Sequence, residues 1–205
     1  MVPSSRREKP DPPKWTNASE APVLRVVVLG GSVPLGAEIP AHDGGSWPQR
    51  FAAWLESHPL TDAKKPNATQ RLVDLRNMAV PGTNSLWRVA ELSSVPFKDA
   101  DLLIVDYLTN DVLNDEGTIT IGGSDSSWSR LRSATEILVR RALTANPDLA
   151  LIYLGLTRGW KSSMSTGQKA YDFQKEVYGA VLDHYHVPFV SFRDAIWWVD
   201  LVRCG

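Results

Sequence analysis

Three short segments carry residue types suited to acyl transfer. The first is Gly30-Gly31-Ser32-Val33-Pro34-Leu35-Gly36, where a serine hydroxyl follows a glycine pair that lets the backbone turn tightly and a ligand approach closely. The second is Asn77-Met78-Ala79-Val80-Pro81-Gly82-Thr83-Asn84, in which Gly82 can offer its backbone N–H to an oxyanion with no side chain in the way. The third is Tyr107-Leu108-Thr109-Asn110-Asp111, where the Asn110 amide is a second donor of the same kind. Each segment alone also reads as ordinary chain punctuation: a Gly/Ser strand-to-helix turn, a Pro-Gly turn, and an Asx-turn or helix N-cap. Two phosphate-binding readings of the first segment fail. Its glycines at 30, 31 and 36 do not make GxGxxG, and no lysine follows to complete a Walker loop.

These segments need elements to hold them, and the apolar pattern supplies candidates. Leu24–Leu29, Arg71–Ala79, Asp101–Tyr107, Leu149–Leu154 and Val187–Phe192 read as strands. Ser46–His58, Ser85–Leu92, Trp128–Leu143, Gln168–Tyr185 and Asp194–Val202 read as helices, with Ser46 as an N-cap and Pro48 in the first turn where it is tolerated. Residues 111–124 and 156–166 read as polar loops. Strands separated by helices imply right-handed crossovers, and so a five-stranded parallel sheet inside a three-layer α/β sandwich. In such sheets the working loops lie at the carboxyl ends of the strands. Ser32, Gly82 and Asn110 follow the first three strands in turn.

Composition sets the outer bounds. The 205 residues are 43% hydrophobic and 22% charged, which suits one ordinary globular domain. The formal net charge of −1 lacks the basic excess of a general nucleic-acid binder. One cysteine, Cys204, excludes an internal disulfide framework and a Cys-rich zinc site, and four histidines leave little for metal chemistry. No apolar run reaches the roughly 18–20 residues of a membrane span. Residues 1–22 are rich in proline and charge, lack a signal-peptide core, and read as a flexible leader ahead of a domain over 23–205. A cytoplasmic location is the default reading. Asn17 and Asn67 head N-glycosylation sequons, a pattern that also arises by chance.

With three blocks in order behind three strands, the chain resembles the SGNH/GDSL hydrolase superfamily. GGSVPLG is similar to its first block, NMAVPGTNS to its second and YLTND to its third, and the likeness spans Leu24 to about Phe192. The resemblance implies the flavodoxin-like strand order 2-1-3-4-5 and a serine esterase that works without a cofactor. It implies Ser32 as nucleophile, with an oxyanion hole made by the Ser32 N–H, the Gly82 N–H and the Asn110 amide. The expected substrate is a small-molecule carboxylic ester, with acylated carbohydrate or lipid as the classes toward which the Trp-rich loops lean. Thr109, and Arg158 and Trp160 after the fourth strand, are expected to line the cleft. For the latter two, plain surface packing is the blander alternative.

The chain departs from the family in three places. Gly31 stands where the family often has Asp, and Leu108 where it often has Gly. The family's late DxxH motif, which supplies the base and lies after the fifth strand, has no counterpart in the residues after Phe192. Asp183-His184-Tyr185-His186 matches the spelling but precedes the fifth strand. A five-residue strand spans about 17 Å, so this pair is expected at the opposite edge of the sheet from Ser32. His42 lies nearer the mouth, and His58 ends a helix. Asp194 reads as a helix N-terminal residue rather than a triad acid. The expectation is a chain truncated before DxxH. The rivals are a catalytically inactive SGNH-like binding module and a flavodoxin-like nucleotide-binding domain.

Overall fold

The computed structural model describes residues 23–37, 39, 44–58, 72–111, 124–156, 174–192 and 194–195. The leader over 1–22, the end of the Asp194–Val202 helix, residues 112–123 of the 111–124 loop, the first residues of the Gln168–Tyr185 helix and both sequons lie outside them.

Five strands form the frame: β1 (Val23–Gly30), β2 (Leu72–Asn77), β3 (Leu102–Asp106), β4 (Ala150–Gly155) and β5 (Phe189–Ser191). All pairings are parallel and the order is β2-β1-β3-β4-β5. This is the doubly wound order anticipated above. The β-branched runs VVV and LIV explain why the centre is β1 and β3, since both faces there must be apolar. β2 stops at Asn77 rather than Ala79 because the Asn77 Oδ1 accepts from the Ala79 N–H at 3.2 Å, turning the chain out of the ladder.

The helices are α1 (Ser32–Leu35), α2 (Trp47–Ser57), α3 (Ser85–Ala90), α4 (Ser124–Ala145) and α5, which is π-helical over Gln174–Gly179 and α-helical over Ala180–Tyr185. Ser46 caps α2 in a capping box with Gln49, whose Oε1 accepts from the Ser46 N–H at 2.7 Å. Asn84 caps α3 by accepting from the Trp87 N–H at 3.0 Å.

The side-chain period of two splits the sheet into unequal faces. Val27, Leu29, Leu103, Val105, Leu151 and Tyr153 point to the main core, where α4 contributes Leu131, Leu138, Val139 and Ala142, and α5 contributes Val177, Tyr178, Val181 and Leu182. The other face buries Val26, Val28 and Ile104 against Trp47 and Phe51 of α2. On that side Val190 of β5 is 52% exposed. Fully burying one such aliphatic side chain is worth about 1.5–3 kcal/mol, so stability rests mainly on the first face. Leu138→Ala should therefore lower the unfolding free energy by about 2–5 kcal/mol. Val190→Ala should change it by less than about 0.5 kcal/mol. Denaturant titration of the two variants checks both.

Candidate active site

β1 ends at Gly30, and the chain turns through Gly31 into α1, which places Ser32 at its first residue. The loop after β2 hangs from β1: the Met78 N–H donates to Val28 O at 2.8 Å and the Val80 N–H to Gly30 O at 2.9 Å. Asn77 Nδ2 donates to Pro34 O at 2.7 Å, tying the same loop to α1. Val80-Pro81-Gly82-Thr83 then makes a turn closed by the Thr83 N–H on Val80 O at 3.4 Å. Gly82 has φ +73°, the left-handed value that the third residue of a type II turn requires. A Cβ there would meet nothing within 4 Å, so the constraint is backbone conformation and not space.

After β3 the chain enters a helical turn at 108–111, with the Asp111 N–H on Tyr107 O at 2.9 Å. That turn aims Asn110 back across β1 and β2. Its Nδ2 donates to Thr83 O at 2.5 Å, next to Gly82. A Cβ built on Gly31 would collide with this same Nδ2 and stand 3.3 Å from Thr83 O. The three segments picked out from sequence therefore meet at one end of the sheet. The close approach also supplies a physical reason for glycine at position 31, since a side chain there would displace the Asn110 amide. Ser32 and Asn110 are half-buried and Gly82 is exposed, so the meeting point opens to solvent.

Beneath it lie two buried carboxylates. Asp111 has no exposed surface, and its oxygens accept from the Ser85 N–H at 2.8 Å, the Ser85 hydroxyl at 2.5 Å and the Tyr178 hydroxyl at 2.6 Å. Burial pushes its pKa from 3.8 up to about 6, against the pull of those donors. Asp106, at the end of β3 on the α2 side, is raised by burial to about 7, with the Leu156 N–H donating to it. The Trp47 indole N–H also pulls the value down, yet it falls outside hydrogen-bond geometry. Asp106 Oδ2 and Trp47 Nε1 are thus both buried and unpaired. The Thr109 hydroxyl donates to Leu156 O at 2.7 Å, so Asp106 and Thr109 grip the Leu156 residue at its N–H and its C=O. The hydroxyl proton of Thr109, a residue expected at the cleft, is spent on the exit of β4.

The remaining expected residues divide cleanly. Arg158, Trp160 and His42 lie outside the described residues. His184 is in the last turn of α5 and His186 caps it with φ 55°, both ahead of β5 and so toward the strand's amino end. His58 caps the far end of α2, where Nδ1 lies 2.9 Å from Trp54 O. Asp194 donates its N–H to the Ser191 hydroxyl at 3.1 Å. Among the described residues no three His, Cys, Asp or Glu side chains gather as a metal site. No described helix is long and apolar enough to cross a membrane.

No family model and no curated protein sequence matches the chain. Solved structures do. "Crystal Structure of TesA" matches with a TM-score of 0.57 at 16% identity, over 84% of this chain and 81% of that one. A member of the lipolytic protein G-D-S-L family from Veillonella parvula DSM 2008 matches with 0.54 at 15%, over 87% and 83%. A two-domain esterase active on acetylated mannans matches with 0.52 at 20%, over 84% of this chain and 38% of that one. The fold is that of the SGNH hydrolases. Within an SGNH fold, Asp111 was visible in sequence only as the neighbour of Asn110. Ser85 and Tyr178, which hold it, lie 26 and 67 residues away and gave no local signal.

The two raised carboxylates make this SGNH fold pH-sensitive in a defined direction. The folded chain holds these protons more tightly than the unfolded chain, where the carboxyl value is 3.8. The associated stability is complete in acid and is lost as pH rises through about 6 and then about 7. Asp106→Asn keeps an acceptor for the Leu156 N–H and removes the titration. It should shrink the stability loss between pH 5 and 8 by on the order of 2–3 kcal/mol, measured by denaturant unfolding at the two pH values. An unchanged loss would mean that Asp106 ionises freely in the folded chain.

Proposed function

We propose that the chain is an ester hydrolase of SGNH type in which Ser32 attacks the carbonyl carbon. The observation that carries this reading is the Asn110 amide, packed on Gly31 beside Ser32 and bonded to the Gly82–Thr83 turn. One Nδ2 proton is used on Thr83 O, and the second is free for an oxyanion. The Ser32 and Gly82 N–H groups complete the donor set. Each such donor is typically worth 10²–10³ in kcat. In the acyl-transfer step the Ser32 Oγ–carbonyl bond forms as the ester C–O bond breaks, and the Ser32 hydroxyl proton ends on the departing oxygen, which leaves as the alcohol. Water then cleaves the acyl–Oγ bond, its hydroxyl joining the acyl group as the acid and its proton returning to Ser32 Oγ.

The substrate class that fits is a small ester with an apolar portion. Leu35 and Ile39 follow Ser32, and Leu86 and Trp87 follow Gly82, and all four are about two-fifths exposed (41%, 40%, 39% and 40%). Acetylated carbohydrate is the more specific candidate, given the acetylated-mannan activity of one structural neighbour and an exposed indole at Trp87 able to lie against a sugar ring.

A second reading is favoured by one specific observation. None of the described imidazoles stands at Ser32: His58, His184 and His186 sit on helix ends, at His58 and His186 caps and in the last turn of α5. A serine with no base at hand stays protonated. The site would then bind esters or acyl groups without efficient turnover. The oxyanion donors and binding alone leave about 10³–10⁴-fold acceleration over water in the comparable protease case.

Turnover of p-nitrophenyl acetate decides between these readings. Ser32→Ala should abolish whatever turnover the wild type shows, Asn110→Ala should lower kcat about 10²-fold or more, and Gly31→Ala should act like Asn110→Ala by displacing the amide. Wild-type turnover that survives Ser32→Ala would refute Ser32 as nucleophile. Turnover no greater than the residual level would support the binding reading.

A further inference from the structure

Arg88 is an arginine where stability alone would place an aliphatic residue. It lies on α3, is 2% exposed, and among the described residues no carboxylate comes within ion-pair distance of it. Burying a guanidinium without a counter-charge costs several kcal/mol in general, and only partners with well-placed acceptors offset it. Its partners are two loops. Nη2 donates to Met78 O at 2.7 Å, the first residue past β2, and Nε donates to the Tyr107 hydroxyl at 2.9 Å, the first residue past β3. The guanidinium also lies 5.0 Å from the Trp87 ring centroid, a cation–π contact on its outer side.

These two loops carry Gly82 and Asn110. Met78 opens the segment that turns at Gly82. Tyr107 O accepts the Asn110 N–H at 3.0 Å and so starts the turn that aims the Asn110 side chain. The Tyr107 hydroxyl also faces Thr83, whose own hydroxyl donates to Val80 O at 2.7 Å inside the Gly82 turn. One planar fork thus spans the roots of both donor loops. Lysine cannot reproduce it, since an ammonium is a point donor on a flexible stem.

We infer that Arg88 is a positioning residue that fixes the Gly82 N–H relative to the Asn110 amide by holding Met78 O and the Tyr107 hydroxyl at once. The inference rests on the proposed hydrolase reading for its catalytic consequence, while the geometric claim stands without it.

The test uses the 205-residue chain labelled with 15N-glycine and 15N-asparagine. Arg88→Lys, Arg88→Met and Tyr107→Phe are compared with wild type by thermal melting, by amide spectra and by p-nitrophenyl acetate kinetics. In Arg88→Lys the Gly82 backbone signal and the Asn110 side-chain signals should both move. Those of Gly179 and Asn146, which lie on α5 and after α4, should stay. Where wild type turns over ester, kcat should fall about 10-fold or more with KM within about two-fold, since ångström-scale misplacement of catalytic groups costs up to about 10²-fold. A folded Arg88→Lys whose Gly82 and Asn110 signals coincide with wild type overturns the inference, even if its melting temperature drops. Should neither Arg88 variant fold, Tyr107→Phe decides by the same signals: movement supports the inference and coincidence overturns it. A wild type with no turnover sinks the hydrolase reading alone, because the spectra still report on Arg88.

Discussion

The Asp111 carboxylate is fully enclosed and has three donors on it, two from Ser85 and one from Tyr178. A charge or a polar carboxyl in that position is tolerated only because those donors are aimed at it. The arrangement works in both directions. Asp111 satisfies the first N–H of α3, an end that would otherwise carry an orphan donor. It also fixes α5 to the sheet through Tyr178, which sits edge-on to Tyr153 at 5.6 Å and to Phe189 at 5.9 Å. Asn110 is its chain neighbour, so wherever Asp111 is pinned, the Asn110 amide is aimed. The loop after β2 is gripped twice over, by Asp111 through Ser85 and by Asn110 through Thr83.

The sheet carries this arrangement unequally. The face under α4 and α5 holds the main core and, at its carboxyl end, the Asp111 network. The face under α2 is thinner, and Asp106 ends it with an unpaired oxygen beside the unpaired Trp47 indole. A group held in that way is easier to protonate than to solvate. The two faces therefore give different things to the site: one holds Asp111 in a full set of donors, the other leaves Asp106 and Trp47 unpaired, and each carries a carboxyl raised by burial.

The parallel sheet and the three strand-end segments were legible because they leave local marks, whereas the strand order followed from the family resemblance. β-Branched runs, Gly-Gly, Pro-Gly and Asn-Asp are short patterns with direct backbone causes. Arg88 left no such mark, because a lone arginine in SLWRVA reads as a solvated helix face until its fold places it inward. Asp106 was hidden for a related reason. In DLLIVDY it reads as a polar strand end, and only the packing of Trp47 across it reveals how deeply it is enclosed. Thr109 was read for its position and not for its partner, Leu156, which is 47 residues on. The π-helical opening of α5 at Gln174–Gly179 also escaped the 3.6-residue pattern, since one extra residue in a turn changes the phase of everything before it.

The account turns on whether one oxygen atom can be held by Ser32, Gly82 and Asn110 together. A crystal structure of the chain soaked with a short alkyl boronic acid, which adds to a serine hydroxyl as a tetrahedral mimic of the reacting ester, measures this directly. The account expects boron bonded to Ser32 Oγ, with one boronate oxygen about 3 Å from the Ser32 N–H, the Gly82 N–H and Asn110 Nδ2. A boronate seated on Ser32 with its oxygens turned away from Gly82 and Asn110 would contradict it.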